Sequence, residues 1–131
     1  MSNKKVFIAG VFDCFHQGHL TLLEKASRLG LLTVGVVRDA AVKKQKGENR
    51  PINNEYFRME LISKLQFVYD VLPLSDFEFP DALDYDIILV GEDQKHFKNL
   101  DSIPFAKHYM LPRLPGVSTS DIIKKMGCQC N

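Results

Sequence analysis

The sequence predicts one α/β domain built on a doubly wound, five-stranded parallel sheet, and three observations predict it. Short, mainly apolar runs with the length of buried strands recur at residues 6–9, 31–37, 69–72, 87–90 and 109–111. Segments with apolar residues at helical spacing separate several of them, and strands alternating with helices argue for a parallel sheet covered on both faces. Polar residues able to do chemistry gather just after the apolar runs, at the strand ends where ligands collect in such sheets. A chain of 131 residues is long enough for one hydrophobic core and leaves little room for a second.

The first run, Val6-Phe7-Ile8-Ala9, stops at Gly10 and aims its C-terminal end at a turn rich in polar residues. Leu22, Leu23, Ala26 and Leu29 then recur at helical spacing, and Gly30 follows as a stop. A second strand over residues 31–37 ends at Arg38-Asp39, and residues 43–52, basic and broken by Gly47 and Pro51, read as a surface loop. Asn53 or Asn54 can cap a helix that carries Phe57, Leu61, Ile62 and Leu65 inward, ahead of the third strand. Residues 73–84 are acidic and proline-bounded, with room for a helical turn or two. The fourth strand ends at Gly91, the fifth lies at 109–111, and Ser118 and Asp121 open a last short helix over 118–126 with capping-box-like spacing.

Bulk properties exclude several classes. Lys and Arg number 17 against 16 Asp and Glu, so a net charge of +1 offers no overall field for nucleic acid or an anionic membrane. The apolar run near the N-terminus is too short for a membrane span or a signal core, which gives a cytoplasmic protein as the expectation. Three cysteines, Cys14, Cys128 and Cys130, have neither an even count nor zinc-finger spacing, and reduced thiols are expected.

His16 and His19 lie three apart across Gln17-Gly18, where loop becomes helix, so both imidazoles can face one spot beside a helix N-terminus. Paired there, they can donate hydrogen bonds to phosphoryl oxygens and spread the charge of a departing group, with Gly18 letting the backbone come close. A metal site and a purely structural pair are the competing readings, the former short of ligands. Lys44 and Lys46 offer charges that could fold over a triphosphate, although a basic segment alone is more often a solvated surface. Arg58 interrupts an apolar helix face, where a lone arginine is more often a surface residue or an ion-pair partner than a ligand. Asp39, and Gly91 with Asp93, stand at further strand ends. Arg113, followed by Ser118, Thr119 and Ser120, supplies a guanidinium fork, hydroxyls and backbone amides for a second anion cradle.

With these residues in view, the chain resembles the cytidylyltransferase branch of the HxGH nucleotidyltransferases, and within it the glycerol-3-phosphate cytidylyltransferases. The resemblance rests on Gly10-Val11-Phe12-Asp13-Cys14-Phe15-His16-Gln17-Gly18-His19 and on Arg113-Leu114-Pro115-Gly116-Val117-Ser118-Thr119-Ser120, and it spans nearly the whole chain. It implies a Rossmann-like nucleotidyltransferase domain over residues 1–131, with in-line attack of a substrate phosphate on the α-phosphorus of CTP, loss of pyrophosphate and no covalent enzyme intermediate. His16, His19, Lys46 and Arg113 would then be catalytic. Gly10, Val11, Phe12, Asp13, Gly18, Lys44, Gly91, Asp93, Ser118, Thr119 and Ser120 would bind the nucleotide, and Asp39, Arg58 and Lys46 the acceptor. Asp13 would orient the site or hold Mg²⁺, and a homodimer would follow.

The sequence departs from those enzymes at Gly91-Glu92-Asp93-Gln94-Lys95-His96-Phe97 and has no tryptophan. Expected substrates are therefore CTP and a phosphorylated alcohol or sugar, glycerol-phosphate-like, for a cell-surface polymer. The rival is an ATP-dependent adenylyltransferase of the same superfamily acting on a heptose phosphate, phosphopantetheine or FMN. A non-catalytic nucleotide-binding module is the reading from a different class.

Overall fold

The computed structural model describes residues 4–79, 84–91, 97 and 108–111. Its elements run β1 (Lys5–Gly10), α1 (Gln17–Ser27), β2 (Leu31–Val37), α2 (Asp39–Lys46), α3 (Glu55–Ser63), β3 (Asp70–Leu74), β4 (Ile87–Gly91) and β5 (His108–Leu111). The sheet has the order β3-β2-β1-β4-β5, and every neighbouring pair is parallel. The strands β1 to β4 form its body; β5 adds its four-residue backbone beside β4, with Gly91 opposite Leu111.

Central strand β1 explains the layers. Val6, Phe7, Ile8 and Ala9 are all buried, as a strand covered on both faces requires, and successive side chains go to opposite sides. Val6 and Ile8 join Leu23 and Ala26 of α1, Leu32, Val34 and Val36 of β2, and Ile62 of α3. Phe7 and Ala9 join Val37 of β2, Ala41 and Val42 of α2, Ile88 of β4, and Phe77, Phe79 and Phe97. Helices thus cover both faces. Gly35 of β2 is small for a packing reason: a Cβ there would stand 2.5 Å from the Phe7 ring and 2.8 Å from Leu74 Cδ1.

Local signals place most boundaries. Asn54 caps α3 by accepting the Phe57 amide at 2.8 Å. Two inferences from pattern fail. Residues 43–46 are helical rather than loop, because Ala41 and Val42 anchor α2 to the sheet and Gly47, with φ near +106°, ends it. Phe57 is half exposed rather than inward, and the buried side chains of α3 are Arg58 and Ile62. The strand order reverses at β1, with β2 on one side and β4 on the other, and this switch point opens the crevice that the HxxH turn borders.

Candidate active site

From Gly10 the chain leaves β1 through Val11, Phe12, Asp13 and Cys14 into His16, the N-cap of α1. Phe12 and Cys14 both adopt positive φ, 56° and 47°, a conformation that costs an ordinary residue roughly 1–2 kcal/mol. Gly10 allows the fold-back, since a Cβ there would meet the Phe12 ring at 2.9 Å. Phe12 itself is buried and stands edge-on to His19, with ring centroids 5.5 Å apart.

The two histidines fix one another. Gly18 N–H donates to His16 Nδ1 at 3.1 Å, and His16 N–H donates to His19 Nδ1 at 3.3 Å. Their rings stack at 3.8 Å with planes 22° apart. Because each Nδ1 accepts a backbone N–H, it carries no proton, and in each neutral ring the hydrogen resides on Nε2. Burial lowers the His16 pKa, and burial, then His16, then Lys46 hold His19 down to about 3. The pair is thus neutral near pH 7, with Nε2–H groups as its donors. His16 Nε2 is buried and has no hydrogen-bond partner among the described residues. A buried donor without an acceptor costs about 1–3 kcal/mol, which an incoming phosphoryl oxygen would recover.

Lys46 lies at the C-terminal end of α2, exposed at its head yet near enough for its charge to act on His19. Lys44, two residues earlier, projects from nearly the opposite side of the same helix and is exposed. The sequence places both lysines near the phosphates; the helix brings Lys46 to the histidines and turns Lys44 away from that side.

Arg58 sits behind this turn, 1% exposed. Its Nε donates to the Asn53 carbonyl at 2.9 Å, Nη1 to the carbonyls of Val11 and Val37 at 2.8 Å each, and Nη2 to Asp39 Oδ1 at 2.6 Å. The guanidinium therefore staples the C-terminal ends of β1 and β2 to the starts of α2 and α3. Its place is structural, beneath the crevice, and Asp39 is its counter-ion. Residue pattern suggested a surface residue or an ion-pair partner, of which the structure shows the second, and family resemblance implied an acceptor ligand; the interior site arises because three strand-end and loop carbonyls converge on one helix position.

Residue pattern also passed over Arg50 and Glu55, and read Asn53 only as a possible helix cap. Glu55 accepts from the Asp39 amide at 2.9 Å and from Arg38 at 2.8 Å, so it caps α2 from α3. Asn53 Oδ1 accepts from Cys14 N–H at 3.1 Å, and Arg50 lies beside Asp13. Their one visible signal was position: polar residues flanking Pro51-Ile52 next to a buried acid. Arg113, Asp93, Ser118, Thr119, Ser120 and the helix expected over 118–126, with Cys128 and Cys130, lie outside the described residues. Gly91 is placed at the C-terminal end of β4, on the crevice side of the sheet.

No helix among the described residues is long and apolar enough to cross a membrane. Nor do those residues hold a group of three His, Cys, Asp or Glu that could bind a metal ion.

Known proteins agree with this architecture. Bifunctional protein HldE of Campylobacter jejuni subsp. doylei is 40% identical over 128 residues, covering 94% of this chain, and HldE of Helicobacter pylori strain G27 is 39% identical over 133 residues, covering 98%. This chain spans 28% of the length of each. The crystal structure of a lipopolysaccharide core biosynthesis protein from Thermoplasma volcanium superposes with a TM-score of 0.67 at 29% identity, over 85% of this chain and 98% of that one. The cytidylyltransferase-like family model matches residues 7–125, from within β1 to beyond β5 and across the whole histidine turn, and the chain belongs to that family of nucleotidyltransferases.

Proposed function

We propose that the chain transfers an adenylyl group from ATP to a heptose phosphate, releasing pyrophosphate and forming a nucleotide-activated sugar. One observation carries the transfer step: two stacked, neutral histidines present Nε2–H donors at the N-terminus of α1, and one of these donors is buried with no partner among the described residues. An oxygen of the sugar phosphate attacks the α-phosphorus, the bond from that phosphorus to the bridging oxygen of pyrophosphate breaks, and pyrophosphate leaves with the electron pair. His16 and His19 donate to the α-phosphoryl oxygens as negative charge accumulates there, without a proton changing hands. The helix N-terminus adds its dipole, and Lys46 meets the departing charge.

The choice of ATP and a heptose phosphate is supported by the relatives. HldE proteins and a lipopolysaccharide core biosynthesis protein favour the adenylyl reading over the glycerol-phosphate one. CTP remains the second reading, favoured by the cytidylyltransferase-like family model. A homodimer belongs to the proposal too, and light scattering on the eluting protein would test it.

Pyrophosphate release decides between the nucleotides. With ATP and heptose 1-phosphate, kcat/KM is expected to exceed that with CTP and glycerol 3-phosphate by at least about tenfold, a difference of about 1.4 kcal/mol. Preference for CTP would overturn the adenylyl assignment, and no turnover with any acceptor would leave a nucleotide-binding module.

A further inference from the structure

We propose that Asp13 is a positioning residue that latches the histidine turn to segment 50–53, and that it is not a magnesium ligand; the catalytic half of this inference rests on the transfer reading above. Asp13 is 1% exposed. Its Oδ1 accepts N–H from Asn53 at 2.8 Å and from Cys14 at 3.0 Å. Its Oδ2 accepts the Ile52 N–H at 2.7 Å and has Arg50 Nε 3.7 Å away. A carboxylate has about four lone-pair sites; three of them take these backbone amides, and the Arg50 guanidinium stands over Oδ2 as an ion pair without a hydrogen bond from its Nε.

A magnesium ion does not fit that arrangement. It needs carboxylate oxygens at about 2.0–2.1 Å in near-octahedral geometry, so the ion would have to displace a buried backbone donor or the Arg50 cation beside Oδ2. Each donor left without a partner costs about 1–3 kcal/mol. Magnesium then enters as the triphosphate complex, and the carboxylate has a different task.

That task follows from the bonds. Asn53 returns a contact through its Oδ1, which accepts from Cys14 N–H, so the two segments grip each other in both directions. Asp13 lies between Phe12 and Cys14, the two residues held at positive φ. With the latch in place this strained turn has one geometry, and His16 is delivered to the N-cap of α1 two residues beyond Cys14. Without it the turn is free to relax, and both histidines move off the crevice.

Site-resolved amide exchange on Asp13→Asn tests the latch without needing turnover. The amide of Ile52, if the new NH₂ group replaces Oδ2, or those of Asn53 and Cys14, if it replaces Oδ1, are expected to exchange at least about tenfold faster, because NH₂ cannot accept where a carboxylate oxygen did. Mn²⁺ affinity of the protein–ATP complex, read by electron paramagnetic resonance, is expected to stay within about twofold, whereas losing a carboxylate ligand would weaken it by tenfold or more. Turnover should fall through kcat more than through KM for ATP, by at least about tenfold.

Asn53→Ala, which leaves the carboxylate intact, should leave the Cys14 amide with Asp13 Oδ1 as its acceptor and without Asn53 Oδ1, and lower kcat in the same direction. The double variant should lose less than the two single losses combined. Unchanged exchange at Ile52 and Asn53, or a tenfold drop in Mn²⁺ affinity, would overturn the proposal. Should Asp13→Asn not fold, an unaltered kcat in Asn53→Ala would do so alone. A wild-type protein with no transferase activity would count against the transfer reading, while exchange would still judge the latch.

Discussion

Two groups of hydrogen-bond donors stand at the same end of the sheet and meet opposite fates. Arg58 directs three nitrogens at four oxygen acceptors of the protein, one of them a carboxylate, and is sealed from solvent. The histidines use their Nδ1 atoms to accept from the backbone, which leaves their protons on Nε2, and His16 Nε2 has no acceptor among the described residues. The guanidinium is a saturated strut, and the imidazoles are held open for an anion. The strut makes the opening possible: by tying Val11 and Val37 together it fixes the strand ends from which the histidine turn departs.

Changing Arg58 should therefore break the frame, and changing a histidine should spare it. Arg58→Met takes the guanidinium away from Asp39 and from the carbonyls of Val11, Val37 and Asn53, and chemical denaturation should show a loss of about 3–5 kcal/mol. Transferase activity would then vanish with the fold. His16→Ala or His19→Ala should lower kcat/KM by about 10²- to 10³-fold, the scale for removing one transition-state donor. The melting temperature should change far less than in Arg58→Met. A histidine variant that unfolds as readily as Arg58→Met would erase the distinction between strut and opening.

Much of this contrast was legible in the sequence, and the missing half has a physical reason. The buried run Val6 to Ala9, the stop at Gly30, the cap at Asn54 and the paired histidines are local patterns, and each keeps its meaning in the folded chain. Helix α2 was not legible, because three lysines dominate its eight residues and only Ala41 and Val42 reveal the side that packs. Arg58 and Asp13 were visible as residues and opaque as roles. What decides each is the meeting of backbone groups from distant segments, as when Ile52 and Asn53 reach an acid some forty positions earlier.

Acid should separate the two regions next. His19 has a folded pKa of about 3 against an ordinary 6.5, so between those values the unfolded chain binds a proton that the folded one refuses. Stability must then fall as the pH drops below 6.5, by up to about 1.4 kcal/mol per pH unit from this group. In His19→Gln the same denaturation series should be flatter over that range. An equal slope in both proteins would show that the imidazole is not held neutral.

The smallest effects belong to α2. Lys46→Ala should cost about tenfold in kcat/KM, near the lower end for a hydrogen bond to a charged group at about 1.5 kcal/mol. Lys44→Ala, on the other side of the helix, should change it by less than about twofold. Steady-state pyrophosphate release at several salt concentrations would compare them, and equal losses would mean that both lysines reach the phosphates.

The central claim, that the histidine pair waits as neutral Nε2–H donors, is tested most directly by ¹⁵N chemical shifts of the imidazole nitrogens in the free protein across a pH series. For both His16 and His19 the account predicts an unprotonated Nδ1 and a protonated Nε2 at neutral pH, with His19 keeping that state down to about pH 4. A proton on Nδ1 of either ring at neutral pH, or an imidazolium at His19 near pH 6, would contradict it.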